Sequence, residues 1–140
     1  MNFYKLISKT TIFFCVIGLI LAIGQNSYVN RIFAICINSL AMFFLIRTLN
    51  YPNKNRVVLL IVYAIQIFSL KLGILSYLVT IGLGYIPYFS FENLKHTSDL
   101  FTFSTNRIYM PTNLTGIGVN MLSLGIFLFL VFYRYKKESL

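Results

Sequence analysis

Four stretches of this chain are apolar for long enough to be helices in lipid, and polar residues interrupt them at only three places. The pattern predicts membrane-spanning helices over about residues 10–25, 28–47, 57–86 and 116–134. Gln25-Asn26-Ser27 makes the first turn. The second, Asn50-Tyr51-Pro52-Asn53, carries residues that fix or tolerate turn geometry. The third interruption, residues 87–115, is the one sizeable polar segment.

The stretch from Val57 to Pro87 is the longest. Thirty helical residues reach roughly 45 Å, against a hydrocarbon core of roughly 30 Å, so such a helix tilts or projects beyond one interface. Gln66, Ser69, Gly73, Ser76 and Thr80 recur at spacings of three and four and would form a seam of small and polar groups on one face. A seam of that kind packs helices closely in lipid or lines a substrate path. Gly18 with Ala22, Asn38 with Ala34 and Ala41, and Asn120 with Gly116 and Ser123 mark comparable faces on the other helices.

Lys71 is the cation inside the third stretch. In a helix it is rotated about 160° from Ser69 and Gly73, at roughly 100° per residue. It would then be surrounded by Ala64, Ile67, Phe68, Ile74, Leu75 and Leu78. A buried cation costs from about 2.5 kcal/mol on insertion scales to far more in simulations of a single helix. Counted from Arg56, Lys71 stands roughly 22 Å into the core, from where its stem nearly reaches the outer headgroups. Centred between Arg56 and Pro87, the span puts Lys71 near the midplane. The chain's three acids, Glu92, Asp99 and Glu138, lie outside the predicted spans. A midplane Lys71 therefore takes its anion from a partner protein, a lipid phosphate or a folded-in loop.

The 87–115 segment mixes Tyr88, Phe89, Phe91, Phe101, Phe103 and Tyr109 with Glu92, Lys95, Asp99 and Arg107. Ser90 and Glu92 are placed to cap a short surface helix presenting Phe91, Leu94 and Phe101. The alternation Phe101-Thr102-Phe103-Ser104 permits an extended piece instead. Either way the segment reads as an aromatic interfacial lid or a recognition surface. Asn113-Leu114-Thr115 matches a glycosylation acceptor but lies very close to the next span.

Composition agrees with a membrane domain: 58% of the 140 residues are hydrophobic, 11% are charged, and the mean hydropathy is +0.78. The net charge of +9 sits at the ends of the apolar stretches and encodes topology, not nucleic-acid binding. Lys5, Lys9, Arg47, Lys54, Arg56, Arg134, Lys136 and Lys137 fall on one side, against Arg31, Lys95 and Arg107 on the other. Both termini are thus expected in the cytoplasm and residues 87–115 outside. The Lys5/Lys9 start and Ala22-Ile23-Gly24 resemble a cleavable signal, but the next span begins at once, so a retained first helix is the simpler reading. Cys15 and Cys36 would lie at different heights, too far apart for a disulfide, each a small buried hydrophobe. His96, the lone histidine, has no cysteines near it, so neither a metal nor a cofactor is expected. Acid–base pairs, nucleophile–base pairs, phosphate loops and HExxH are missing from the sequence, which argues against an enzyme.

The fold class expected is an all-α integral membrane protein: one domain, a four-transmembrane-helix bundle, N-in and C-in, multi-pass in the cell inner (plasma) membrane. Its expected work is binding within the bilayer through Lys71, Gln66, Ser69, Asn38, Asn120, Glu92, Asp99 and Phe101. The partner is a membrane protein, a second copy or lipid. In size, basicity and topology alone, the chain resembles immunity proteins that guard the inner membrane against pore-forming toxins. The alternatives are a subunit of a small oligomeric transporter or lipid carrier, with Lys71 holding an anionic group, and a stabilising subunit of a larger complex.

Overall fold

A computed structural model describes residues 3–72, 75–92, 96–109 and 115–133, except the side chains of residues 97–99 and 109. Two long helices, α1 (Phe3–Ile23) and α2 (Tyr28–Thr48), form a hairpin. They match the first two predicted spans, and each is 21 residues long and apolar enough to cross a membrane. Ser27 starts α2 by accepting a hydrogen bond from Asn30 N. Asn38 is fully buried where the two helices cross. A Cβ on Gly18 would stand 2.6 Å from its Oδ1, so glycine there leaves the room that the Asn38 amide fills.

The all-α bundle is not what forms beyond this hairpin. α3 (Pro52–Ile67) ends nineteen residues short of its predicted end, and the chain passes directly into a six-stranded antiparallel sheet. Its strands are β1 (Phe68–Leu72), β2 (Leu75–Val79), β3 (Leu83–Ser90), β4 (His96–Phe103), β5 (Asn106–Tyr109) and β6 (Thr115–Val119). The sheet curls into a half-barrel in the order β4-β3-β6-β1-β2-β5. α4 (Met121–Phe132) follows β6 directly and packs along α3.

The physical reason lies in period two. From Phe68 onward, large apolar residues alternate with small or polar ones: Phe68, Leu70 and Leu72 with Ser69 and Lys71, then Leu75 and Tyr77 with Ser76. Such alternation satisfies a strand with two unlike faces, and the aromatic and β-branched residues here favour extended backbone. Pro87 does not end a helix but sits inside β3 opposite Asp99. The capped helix expected after Ser90 is a turn, in which the Ser90 hydroxyl accepts from Glu92 N at 3.2 Å. Phe101-Thr102-Phe103 belongs to β4, the extended option. Gly116 lies in β6, and Asn120 is the N-cap of α4, accepting from Ser123 N.

The ends of the described chain share one end of the bundle with the α2–α3 turn. There Tyr4 donates to Tyr133 O, Lys5 to Asn50 Oδ1, and Arg56 to the carbonyls of Leu130 and Val131. Tyr4, Leu45, Leu59, Tyr63 and Leu130 make the core at that end; Cys15, Ala41, Val62 and Ile81 make it at mid-height. Cys36 is exposed, contrary to the burial expected of it, and both cysteines are free. Gly73, Lys95, residues 113–114, Arg134, Lys136 and Lys137 lie outside the described residues.

Candidate functional site

The concave face of the half-barrel gathers the polar residues of the sheet. Inward positions are Ser69 and Lys71 on β1, Ser76 and Leu78 on β2, Gly84, Ile86, Tyr88 and Ser90 on β3, and Gly116 and Gly118 on β6. Antiparallel register sets Lys71 opposite both Ser76 and Gly116, and Tyr88 opposite Gly118. Because β6 offers only glycine inward here, side chains from its two neighbours fold over it. A Cβ on Gly118 would stand 2.5 Å from Ile86 Cγ2, 2.6 Å from Ser69 Oγ and 2.9 Å from Tyr88 Cδ1. One on Gly116 would collide with the carbonyl oxygen of Phe89, so β3 and β6 could not approach.

Over that glycine trough the Lys71 ammonium sits 3.7 Å from the centroid of the buried Tyr88 ring. The face of an aromatic ring attracts a cation, by about 2 kcal/mol when the pair is desolvated. Burial pushes the Tyr88 phenol up. Lys71 makes no ion pair with an acid among the described residues. Helical spacing set Lys71 apart from Ser69; in a strand the two are second neighbours on one face.

At the base of the sheet, polar side chains secure the two turns β2–β3 and β4–β5. Ile81 N donates to Gln66 Oε1 at 2.8 Å, while Gln66 Nε2 donates back to Val62 O. Thr80 N donates to Asn106 Oδ1 and to Thr105 O, and Gly82 N to the Ser104 hydroxyl. Thr102 Oγ1 donates to Thr80 Oγ1 at 3.2 Å. Every amide from Thr80 to Gly82 thus has a partner inside the protein. Gln66 is therefore a turn anchor, placed some distance below Lys71.

The predicted binding residues do not converge. Lys71 and Ser69 meet on the concave face, joined by Ser76 and Tyr88. Gln66 and Asn120 serve the base and the start of α4, and Asn38 seals the α1–α2 crossing. Glu92 is exposed in the turn after β3. Phe101 is 79% exposed on the convex side, its ring 4.9 Å from that of Tyr85. Asp99 holds a backbone position opposite Pro87, and its side chain is outside the described residues. Tyr88, Gly118, Ser104 and Asn106 were not predicted as partners of this site. The signal for Gly118 was the every-second-residue placing of Gly116, Gly118 and Asn120, and for Ser104 the alternation Phe101-Thr102-Phe103-Ser104. Compared with known proteins, the chain matches no family model, no curated protein and no solved structure.

Proposed function

We propose that this chain is a small multi-pass protein of the inner (plasma) membrane that acts by binding. The concave face of its sheet receives an acidic group presented at the outer surface by a partner membrane protein. An accessory or immunity role is the form this takes. The observation that carries the reading is the Lys71 ammonium: inward-facing, half-buried, seated on Tyr88 and paired with no carboxylate among the described residues. A partly desolvated cation in that state gains from an added oxyanion, which supplies a charge-assisted hydrogen bond that the ring does not.

Lys5, Lys9, Arg47, Lys54 and Arg56 cluster at the end away from the sheet, which supports a cytoplasmic placing of that end. From Val57 to Ile67 the helix climbs about 16 Å, and four strand residues to Lys71 add at most about 13 Å. The total is close to the roughly 30 Å hydrocarbon thickness. Lys71 then stands at the outer headgroup boundary, higher than a continuous helix would carry it.

The oxyanion is a protein carboxylate or a lipid phosphate, and two assays separate them. Cells producing the chain are challenged with a membrane-active toxin encoded beside its gene. Protection by the wild type and by Lys71→Arg, lost in Lys71→Ala, is the expected result; no protection by the wild type removes the immunity reading. Proteoliposome flux of an anionic lipid that follows the same pattern of variants would instead assign Lys71 to a lipid carrier.

A further inference from the structure

The sheet does not sit on top of the α1–α2 hairpin but begins halfway down it. The Ser104 hydroxyl donates to Phe14 O at 3.3 Å, Phe103 packs edge-on to the Phe14 ring at 5.8 Å, and Ile81 shares a core with Cys15. Gly82 lies so close to Phe14 that a Cβ would stand 2.9 Å from the ring. Phe14 is nine residues before the end of α1 at Ile23, about 13 Å lower along the axis. Roughly four residues at the lower ends of β3 and β4, at about 3.3 Å apiece, therefore run beside the upper half of the hairpin, whereas β5 meets the Gln25 turn at its first residue, Asn106.

At that depth the convex face is apolar and the concave face is not. Phe68, Leu83, Phe101 and Phe103 point outward and are between 41% and 79% exposed. Ser69, Gly84 and Thr102 on the same strands, and Ser104 just after β4, are buried. A sheet in water has the opposite pattern, whereas strands facing lipid alternate apolar-out and polar-in. The lower turns meet the demand that hydrocarbon makes of backbone, since the amides of Thr80, Ile81, Gly82 and Ser104 are all satisfied by protein. Edge strand β5 lies against α2, with Ile108 N donating to Asn30 Oδ1 at 3.0 Å. Arg31 and Arg107 stand near the Gln25–Ser27 turn, where headgroups would begin.

Lengths agree as well. Val57 to Ile67 as helix and Phe68 to Leu72 as strand together reach about 33 Å, and Thr115–Val119 with Met121–Phe132 reach about the same. Neither α3 nor α4 spans a bilayer as helix alone.

We propose that the lower half of the half-barrel is sunk in the outer leaflet, with Phe68, Leu83, Phe101 and Phe103 against lipid acyl chains. α3–β1 and β6–α4 then each cross the membrane as helix in one leaflet and strand in the other. This inference rests on the reading of α1 and α2 as membrane spans.

The chain contains no tryptophan, so single-tryptophan variants report one site each. Leu83→Trp and Phe101→Trp would be compared in vesicles of phosphatidylcholine brominated along the acyl chains, with Ile20→Trp on the outer face of α1 and Tyr51→Trp in the α2–α3 turn as references. Both sheet positions should be quenched as strongly as Ile20→Trp, and several-fold more than Tyr51→Trp. Sheet positions that behave like Tyr51→Trp while Ile20→Trp is quenched would place the sheet outside the bilayer and leave the spans standing. An unquenched Ile20→Trp would overturn the spans and the inference together.

Discussion

Lys71 and Tyr88 belong to strands that never pair with each other, yet the ammonium nitrogen lies 3.7 Å from the centre of the ring. They meet because β6, which lies between them, presents Gly116 and Gly118 inward. A double-mutant cycle of Lys71→Met and Tyr88→Leu should give a coupling of about 0.5 to 2 kcal/mol, read from unfolding in mixed micelles. Tyr88→Phe should keep most of it, since the ring face remains. A coupling near zero would mean that the contact contributes nothing beyond packing.

Inorganic phosphate should engage the Lys71 ammonium over the glycine trough. Side-chain NMR of isotopically labelled lysine should show the Lys71 signal moving as phosphate is added while that of the exposed Lys54 moves little. Equal movement of both would remove the oxyanion reading.

Gly82 and Gly125 should respond oppositely to alanine. Gly82 has φ of +88° and abuts Phe14, so Gly82→Ala should cost about 1 kcal/mol or more from the left-handed backbone, plus the clash. Gly125 is inside α4 with open space around its Cα, and Gly125→Ala should stabilise by up to about 1 kcal/mol through helix propensity. Thermal unfolding in detergent would measure both.

Gln66→Leu removes the acceptor of the Ile81 amide and leaves that N–H buried. A loss of about 1 to 3 kcal/mol is expected, with faster hydrogen exchange at Ile81 and Gly82. A stable variant with unchanged exchange would show that water reaches the turn.

By itself the sequence determined the hairpin. Residues 10–25 and 28–47 are apolar over most of their circumference and bounded by a polar turn, and a helix satisfies its own backbone locally, so no distant residue had to be known. It also determined that Lys71 needs an explanation. The stretch 57–86 was different. Spacings of three and four among Gln66, Ser69, Ser76 and Thr80 fit a helical seam, while the residues between them alternate as a strand requires, and the two patterns coexist in one string. Only tertiary structure decided between them, because β1 is held by β6 more than forty residues away and the inward glycines of β6 matter only once β1 and β3 flank it. A strand's hydrogen bonds are made by other parts of the chain, and so is the evidence that it is a strand.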